Sequence, residues 1–297
     1  MLDNRCKCAA GIVLYNPDID RLKANIDAIK SQVHNVYTFD NGSTNQKEIS
    51  DLLTQYNDNV ILILNEKNLG IATALNRLVD AAHNDNHAWI LTLDQDSVVP
   101  VGLIEKLLQS IDDEKVGIVC PVFYDFRRNN IPPPVPKNVT LSIDFCITSG
   151  SLLNIAICKE VGKFDDWLFI GLVDNEYCYR LTQCGYKITK DLSLILDHEL
   201  GDLRPSKHRE LWLILGKILH CNTIAKLSYQ RSVSPARLYY ATRNMVHLNR
   251  KYPKNEVKAW SKRTMIKNAL LSIARGKHKG TLIRAVIKGI RDGNGSK

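Results

Sequence analysis

Short apolar runs that alternate with segments of helical spacing limit what this chain can fold into. Ala9 to Tyr15, Val36 to Phe39, Val60 to Leu64 and Trp89 to Leu93 are the runs, and each stops at a polar turn. Between them, Ile19, Leu22, Ile26, Ile29 and Val33 keep a helical repeat, as do Ile49, Leu52, Leu53 and Tyr56. The cleanest such segment carries Ile71, Ala74, Leu75, Leu78, Val79 and Ala82 on one face. Runs this short and this continuous suit strands covered on both faces, and helical segments between them supply the crossovers of a parallel sheet. The predicted class is therefore α/β, with right-handed connections. Val116 to Phe123 and Leu192 to Leu196 extend the sheet, and Phe145 to Leu153 reads as a strand pair around a small-residue turn.

What ends each run is as informative as the run itself. The run at Trp89 stops in Asp94-Gln95-Asp96-Ser97, two carboxylates one residue apart at the carboxyl end of a predicted strand. Open α/β sheets bind ligands at that end, and a hard divalent cation accepts carboxylate and phosphate oxygens together. On spacing alone, a polar loop after a strand explains the pair equally well. Val36 to Phe39 stops in Asp40-Asn41-Gly42-Ser43, where Asp40 suits a base N–H but in isolation reads as a turn aspartate. The turn Asn68-Leu69-Gly70 opens the third helix on the same edge. No Gly-x-Gly-x-x-Gly and no Walker lysine loop is present. Arg127 to Pro136 breaks all periodicity and reads as a proline-rich surface loop.

Charge divides the chain. Residues 200–297 hold 22 Lys+Arg and 4 Asp+Glu, a balance of +18, which leaves 18 and 27, or −9, for residues 1–199 and sums to the +9 of the whole. An acidic first part, residues 1–205, is expected to hold the site. A basic helical region, residues 206–297, is expected to meet something anionic. From Val257 to Arg291 there is no acid, while Trp260, Met265, Ile266, Leu270, Leu271 and Ile273 are interleaved with Lys262, Arg263, Lys267 and Arg275. Leu282 to Ile290 repeats the pattern with Arg284 and Lys288. Amphipathic helices of this kind suit an anionic membrane surface, although a solvated helix face has the same pattern. Nucleic acid is not the expected partner, because no helix-turn-helix, zinc or RNP signature accompanies the charge, and a non-enzymatic protein that binds nucleic acid or membrane through its basic helices stays as the alternative of a different class. The eight cysteines lack a Cys-x-x-Cys pair and read as free thiols of a reducing cytoplasm. Neither a signal peptide nor a membrane-spanning run is recognised.

Taken in order and spacing, Asp40-Asn41-Gly42-Ser43, Asn68-Leu69-Gly70-Ile71-Ala72-x-Ala74-x-Asn76 and Leu93-Asp94-Gln95-Asp96-Ser97 resemble the family 2 (GT-A fold) glycosyltransferases. The Asp-Gln-Asp-Ser form is similar to the bacterial rhamnosyltransferase branch, and the resemblance covers roughly residues 8–250. It implies a nucleotide-sugar donor, a divalent cation (Mg²⁺ or Mn²⁺) and inversion at the anomeric carbon. By that resemblance Asp40 contacts the base, and Asn68, Gly70 and Asn76 line the nucleotide pocket. Asp94, Gln95 and Asp96 then face ribose, diphosphate and metal, and Ser149-Gly150 borders the acceptor.

The same resemblance directs attention to Val173-Asp174-Asn175-Glu176, where the family's Glu-Asp pair has lost its first acid. Inverting transfer needs one carboxylate to take the acceptor hydroxyl's proton, and Asp174 is the expected general base. Glu176 either pairs with Arg180 one turn on or supports the acceptor pocket. His198 lies in the position of the family's His-x-x-Gly, suited to the metal or the leaving diphosphate, with a surface histidine as the alternative. Tyr239-Tyr240-Ala241-Thr242-Arg243-Asn244 resembles a late element of this branch, in which Arg243 either clamps a phosphate or solvates a helix face. The branch implies L-rhamnose from dTDP-rhamnose as donor, with UDP-sugars as the nearest rivals. It also implies a lipid-linked glycan acceptor in surface polysaccharide synthesis at the cytoplasmic face of a bacterial membrane, and a homodimer is compatible with it.

Overall fold

In the computed structural model, the described residues are 8–56, 58–124, 136, 139–197, 203–220, 222–231, 234–253 and 257–295. The chain divides into two compact units, residues 1–169 with 173–199, and residues 170–172 with 200–297.

The first unit is built on β1 (Cys8–Leu14), α1 (Ile19–Ile29), β2 (Asn35–Asn41), α2 (Gln46–Leu53), β3 (Val60–Asn65), α3 (Ile71–Asn84) and β4 (Trp89–Asp94). It continues through α4 (Leu103–Gln109), β5 (Val116–Tyr124), β6 (Thr140–Ile143), β7 (Ser151–Asn154), α5 (Ile155–Val161), α6 (Val173–Gln183) and β8 (Lys187–Asp197). The strands form one eight-stranded sheet in the order β3-β2-β1-β4-β7-β5-β8-β6. β1 pairs in parallel with β2 and β4, and β2 with β3, as alternation of strand and helix requires. β7 runs antiparallel between β4 and β5, and β6 runs antiparallel on β8, so the sheet is mixed on that side.

The core follows the periodicity. Leu22, Ile26 and Ile29 of α1 are fully buried against the strand residues Ile12 and Leu14. Asp18 caps that helix, its carboxylate accepting from Arg21 N at 3.0 Å. β3 is less buried than its neighbours because it is the edge of the sheet.

The segment Phe145 to Leu153 corrects the expected strand pair, since only its last three residues, from Ser151 on, are strand. Thr92 Oγ1 bonds Thr148 O at 2.5 Å and Ser151 Oγ bonds Ile147 O at 2.5 Å, so side chains occupy carbonyls that a ladder would have used. The proline-rich loop lies, apart from Pro136, outside the described residues.

The second unit contains β9 (Leu203–Pro205), α7 (Arg209–Ile218), α8 (Asn222–Ala225), β10 (Tyr229–Arg231), α9 (Pro235–Lys251), α10 (Lys262–Arg275) and α11 (Lys279–Asn294). β9 pairs antiparallel with β10 within this unit. α11 packs on α9 through Gly289 and Gly293: a Cβ at Gly293 would stand 2.6 Å from Arg243 O, and one at Gly289 2.8 Å from Tyr239 O. Trp260 is fully buried here. No helix among the described residues is long and apolar enough to cross a membrane.

Candidate active site

The parallel half of the sheet brings the expected acids to one edge. In the register of β1, Leu14 lies beside Asp40 and Val13 beside Asp94, so the carboxyl ends of β2 and β4 flank that of β1. Asp94 is partly buried and Asp96, two residues past the strand, is exposed. The main chain of Asp94 is held from two sides: Asn25 Nδ2 donates to its carbonyl at 2.7 Å, and its N–H donates to Ser149 Oγ at 3.0 Å. Ser149 also bonds Ser97 Oγ at 2.9 Å. Gln95 turns back on β1, where its Oε1 accepts from Tyr15 N at 2.8 Å.

The neighbouring turns are tied together by asparagines. Asn41 Oδ1 accepts from Leu69 N at 2.8 Å, and its Nδ2 donates to Gly70 O at 3.2 Å and to Asn68 Oδ1 at 3.3 Å. Asn68 Oδ1 in turn accepts from Gly70 N at 2.9 Å. Gly70 has φ +85, and a Cβ there would lie 2.6 Å from Phe169 O, so only glycine suits the position. Asp40 is fully buried, with Oδ1 accepting from Ser43 N at 3.1 Å and Oδ2 from Gln46 Nε2 at 2.6 Å. Asn76 is buried as well, exchanging hydrogen bonds of 2.9 Å with the main chain of Phe164 and donating to Asp166 Oδ1 at 2.7 Å. At Gly150, φ is +78 and a Cβ would lie 2.3 Å from Leu196 Cδ2, which identifies what approaches the backbone at that turn.

Asp174 stands in the first turn of α6, its Oδ1 accepting from Asn175 N at 2.9 Å. Burial pushes its carboxyl from the ordinary 3.8 up to about 6, and the Asp94 carboxylate pushes in the same direction. Cys146, Thr148, Tyr177 and Cys178 share a small cavity with it. Asp94 and Asp174 thus act on one another electrostatically within the first unit. Glu176, fully buried, is held by Arg180 through Nε to Oε1 at 3.0 Å and Nη2 to Oε2 at 2.9 Å, the expected pairing one turn on. Arg180 also donates to Lys163 O at 2.7 Å.

Arg243 belongs to the second unit, where its guanidinium stacks on Tyr240 at 4.8 Å and donates to Asn244 Oδ1. His198 lies outside the described residues. Among the described residues no group of three metal-ligating side chains occurs. Asp94 and Asp96 are nonetheless a donor set that suits a hard cation completed by diphosphate oxygens and water, as Mg²⁺ typically is. Asn41 and Asn25 were not singled out by sequence reasoning. Their partners lie 28 and 69 residues away, and the adjacent Asn41-Gly42 was the only local signal.

The profile of glycosyl transferase family 2 matches residues 10–164, more than half of the chain. The chain belongs to that family. It is 28% identical over 260 residues to a dTDP-rhamnosyl transferase, RfbF, of Shigella flexneri, covering 82% of this chain and 79% of that one. Among solved structures, a mannosyltransferase from Pyrobaculum calidifontis in complex with GDP-Man and Mn²⁺ superposes with a TM-score of 0.56 at 13% identity, covering 94% of this chain and 73% of the other. GalNAc-T7 with UDP, GalNAc and Mn²⁺ superposes with a TM-score of 0.55 at 15% identity, over 65% of this chain and 43% of that one. These likenesses establish the GT-A fold, and family membership makes the protein a glycosyltransferase.

Proposed function

We propose that this glycosyltransferase moves L-rhamnose from dTDP-rhamnose, with inversion, to a lipid-linked glycan acceptor in bacterial surface polysaccharide synthesis. The observation that carries the chemistry is the carboxyl of Asp174, raised to about 6 by burial and sensing Asp94 at the carboxyl edge of the sheet. A base poised near neutrality is what removal of a hydroxyl proton at the moment of attack asks for. Support for the donor comes from the dTDP-rhamnosyl transferase of Shigella flexneri and from the Asp94-Gln95-Asp96 sequence.

In this reading Asp174 takes the acceptor proton. Asp94 and Asp96 face the diphosphate and hold a divalent cation, Mg²⁺ or Mn²⁺, with His198 as a further ligand. The cation, when bound, offsets charge on the leaving diphosphate. Asp40, Asn68 and Gly70 shape the base and ribose pocket, while Gln95 and Asn76 serve it by bracing the β1 end and the Phe164 main chain. Ser149 and Gly150 border the acceptor, Glu176 stays paired with Arg180, and Arg243 assists at the phosphates. The basic second unit meets an anionic leaflet at the cytoplasmic face. Exposed Ile283, Ile287 and Ile290 on α11 give that face an apolar stripe beside Arg284, Lys288 and Arg291.

The test offers labelled dTDP-rhamnose and labelled UDP-glucose, UDP-galactofuranose and UDP-N-acetylglucosamine with a bacterial membrane lipid extract. Label passing into the lipid phase from dTDP-rhamnose alone supports the reading, whereas transfer from a UDP-sugar replaces the donor while retaining the chemistry.

A further inference from the structure

One face of α10 is open. Arg263, Ile266, Lys267, Leu270, Leu271 and Ala274 stand at i, i+3, i+4, i+7, i+8 and i+11 of that helix, so they share a single stripe. A stripe of this pattern ordinarily packs on a core, yet Ile266 is 55% and Leu270 62% exposed. The stripe forms one wall of a cavity of about 660 Å³, and Ile224 of α8 and Leu227, in the short turn after it, form the other. All of these residues belong to the second unit. The volume falls within the roughly 300–1,000 Å³ in which proteins hold small molecules. Arg263 and Lys267 are the only polar side chains of the lining, and both are exposed. The sequence from Val257 to Arg291 has no acid to neutralise them locally.

We propose that this cavity is a binding site for one anionic phospholipid, with a hydrocarbon chain lying between α10 and the Ile224 and Leu227 wall and the phosphodiester held by Arg263 and Lys267. An apolar trough whose only polar groups are two cations one turn apart matches an amphiphile with a negative head. The chain removes the apolar walls from water, and the cations meet the phosphate oxygens. A nucleotide or a sugar would leave those walls without an apolar partner. A second copy of the protein fits less well, because a twofold contact across this stripe would set Arg263 and Lys267 against their own copies. The site is separate from the stripe of α11 that meets a leaflet: α11 offers a surface to adsorb by, whereas α10 encloses a single lipid. It depends neither on the sugar donor nor on the role of Asp174.

Calorimetry on the full chain compares soluble probes below their aggregation limit. Dihexanoylphosphatidylglycerol carries both features, dihexanoylphosphatidylcholine keeps the chains without the net charge, and glycerophosphoglycerol keeps the charge without the chains. The expected result is saturable binding of one phosphatidylglycerol per protein chain, about tenfold weaker binding of the choline lipid, and none of the bare head group. Ala274→Trp fills the cavity while making the surface more apolar, and it should abolish binding. Arg263→Gln combined with Lys267→Gln should bring phosphatidylglycerol down to the level of the choline lipid. Binding that Ala274→Trp leaves intact or strengthens is adsorption to a surface and overturns the proposal, as does equal affinity for both lipids or binding of the head group alone. Should Ala274→Trp not accumulate as folded protein, Ile266→Trp, at an exposed position on the same stripe, is read by the same criteria. Light scattering addresses the remaining occupant: a dimer that excludes the lipid and that Leu270→Ser dissociates would assign the stripe to a second copy and overturn the proposal.

Discussion

Replacing Asp174 by asparagine should cost activity and add stability. Burial raises the carboxyl from the ordinary 3.8 to about 6. That difference corresponds to about 3 kcal/mol between the two protonation states. Below pH 3.8 the group is protonated whether the chain is folded or not, and the shift contributes nothing. As the pH rises through 3.8 toward 6, the unfolded chain releases the proton more readily, so the folded state progressively loses stability. Above about 6 the loss is complete. An asparagine has no charge to bury, and its side-chain oxygen retains the bond from Asn175 N. Asp174→Asn is therefore expected to melt several degrees above wild type at pH 7.5, with about 3 kcal/mol as the upper bound, and to converge with wild type near pH 4. Thermal unfolding of the two proteins across that range measures the difference. Turnover should fall by about 10²–10⁴-fold. A variant that melts below wild type at pH 7.5, or a difference that does not change with pH, would refute the account of the buried carboxyl.

Asp96→Ala should abolish the part of dTDP affinity that depends on Mn²⁺, and unchanged calorimetric affinity in the presence of the metal would remove Asp96 from the site. Gly70→Ala, which sets a methyl against the Phe169 main chain at a left-handed position, should destabilise the protein by about 1–3 kcal/mol in denaturant titrations, and an unchanged midpoint would contradict the packing there. Because α11 packs on α9, the membrane face is better tested by point changes than by truncation. The triple variant Ile283→Ser, Ile287→Ser, Ile290→Ser should fold normally and pellet less with anionic liposomes. Undiminished pelleting would move the contact to another surface.

The parallel half of the sheet could be read in advance because β1, β2 and β4 are covered on both faces and the helices between them carry their apolar residues at regular spacing. The run at Trp89 announces β4, and Leu22, Ile26 and Ile29 announce the buried face of α1. Residue type and strand end put Asp40 and Asp94 at strand ends on one edge, and the strand order of the structure sets them on either side of β1. What joins the turns was not legible. Asn41 acts on Leu69 and Gly70, Asn25 on the main chain of Asp94, and Asn244 on Ile170 and Gly171. Hydrogen bonds of this kind depend on which loops the fold sets side by side, and an isolated asparagine carries no local mark of them. Gln95 shows the same limit from the other direction, since a residue inside the acidic motif turns back to clamp Tyr15. The segment Phe145–Thr148 looked like strand because its apolar content is high, yet threonine and serine side chains take two of its carbonyls.

The most direct test of the central claim is a thermal-shift comparison of dTDP, UDP, GDP and CDP, each with and without Mn²⁺. A site of the proposed kind is stabilised by the nucleotide it binds in proportion to occupancy. The account predicts a rise in melting temperature that is largest for dTDP, requires the metal, and disappears in Asp96→Ala. Equal or larger stabilisation by UDP would contradict the rhamnose donor, and no shift with any nucleotide would contradict the site itself.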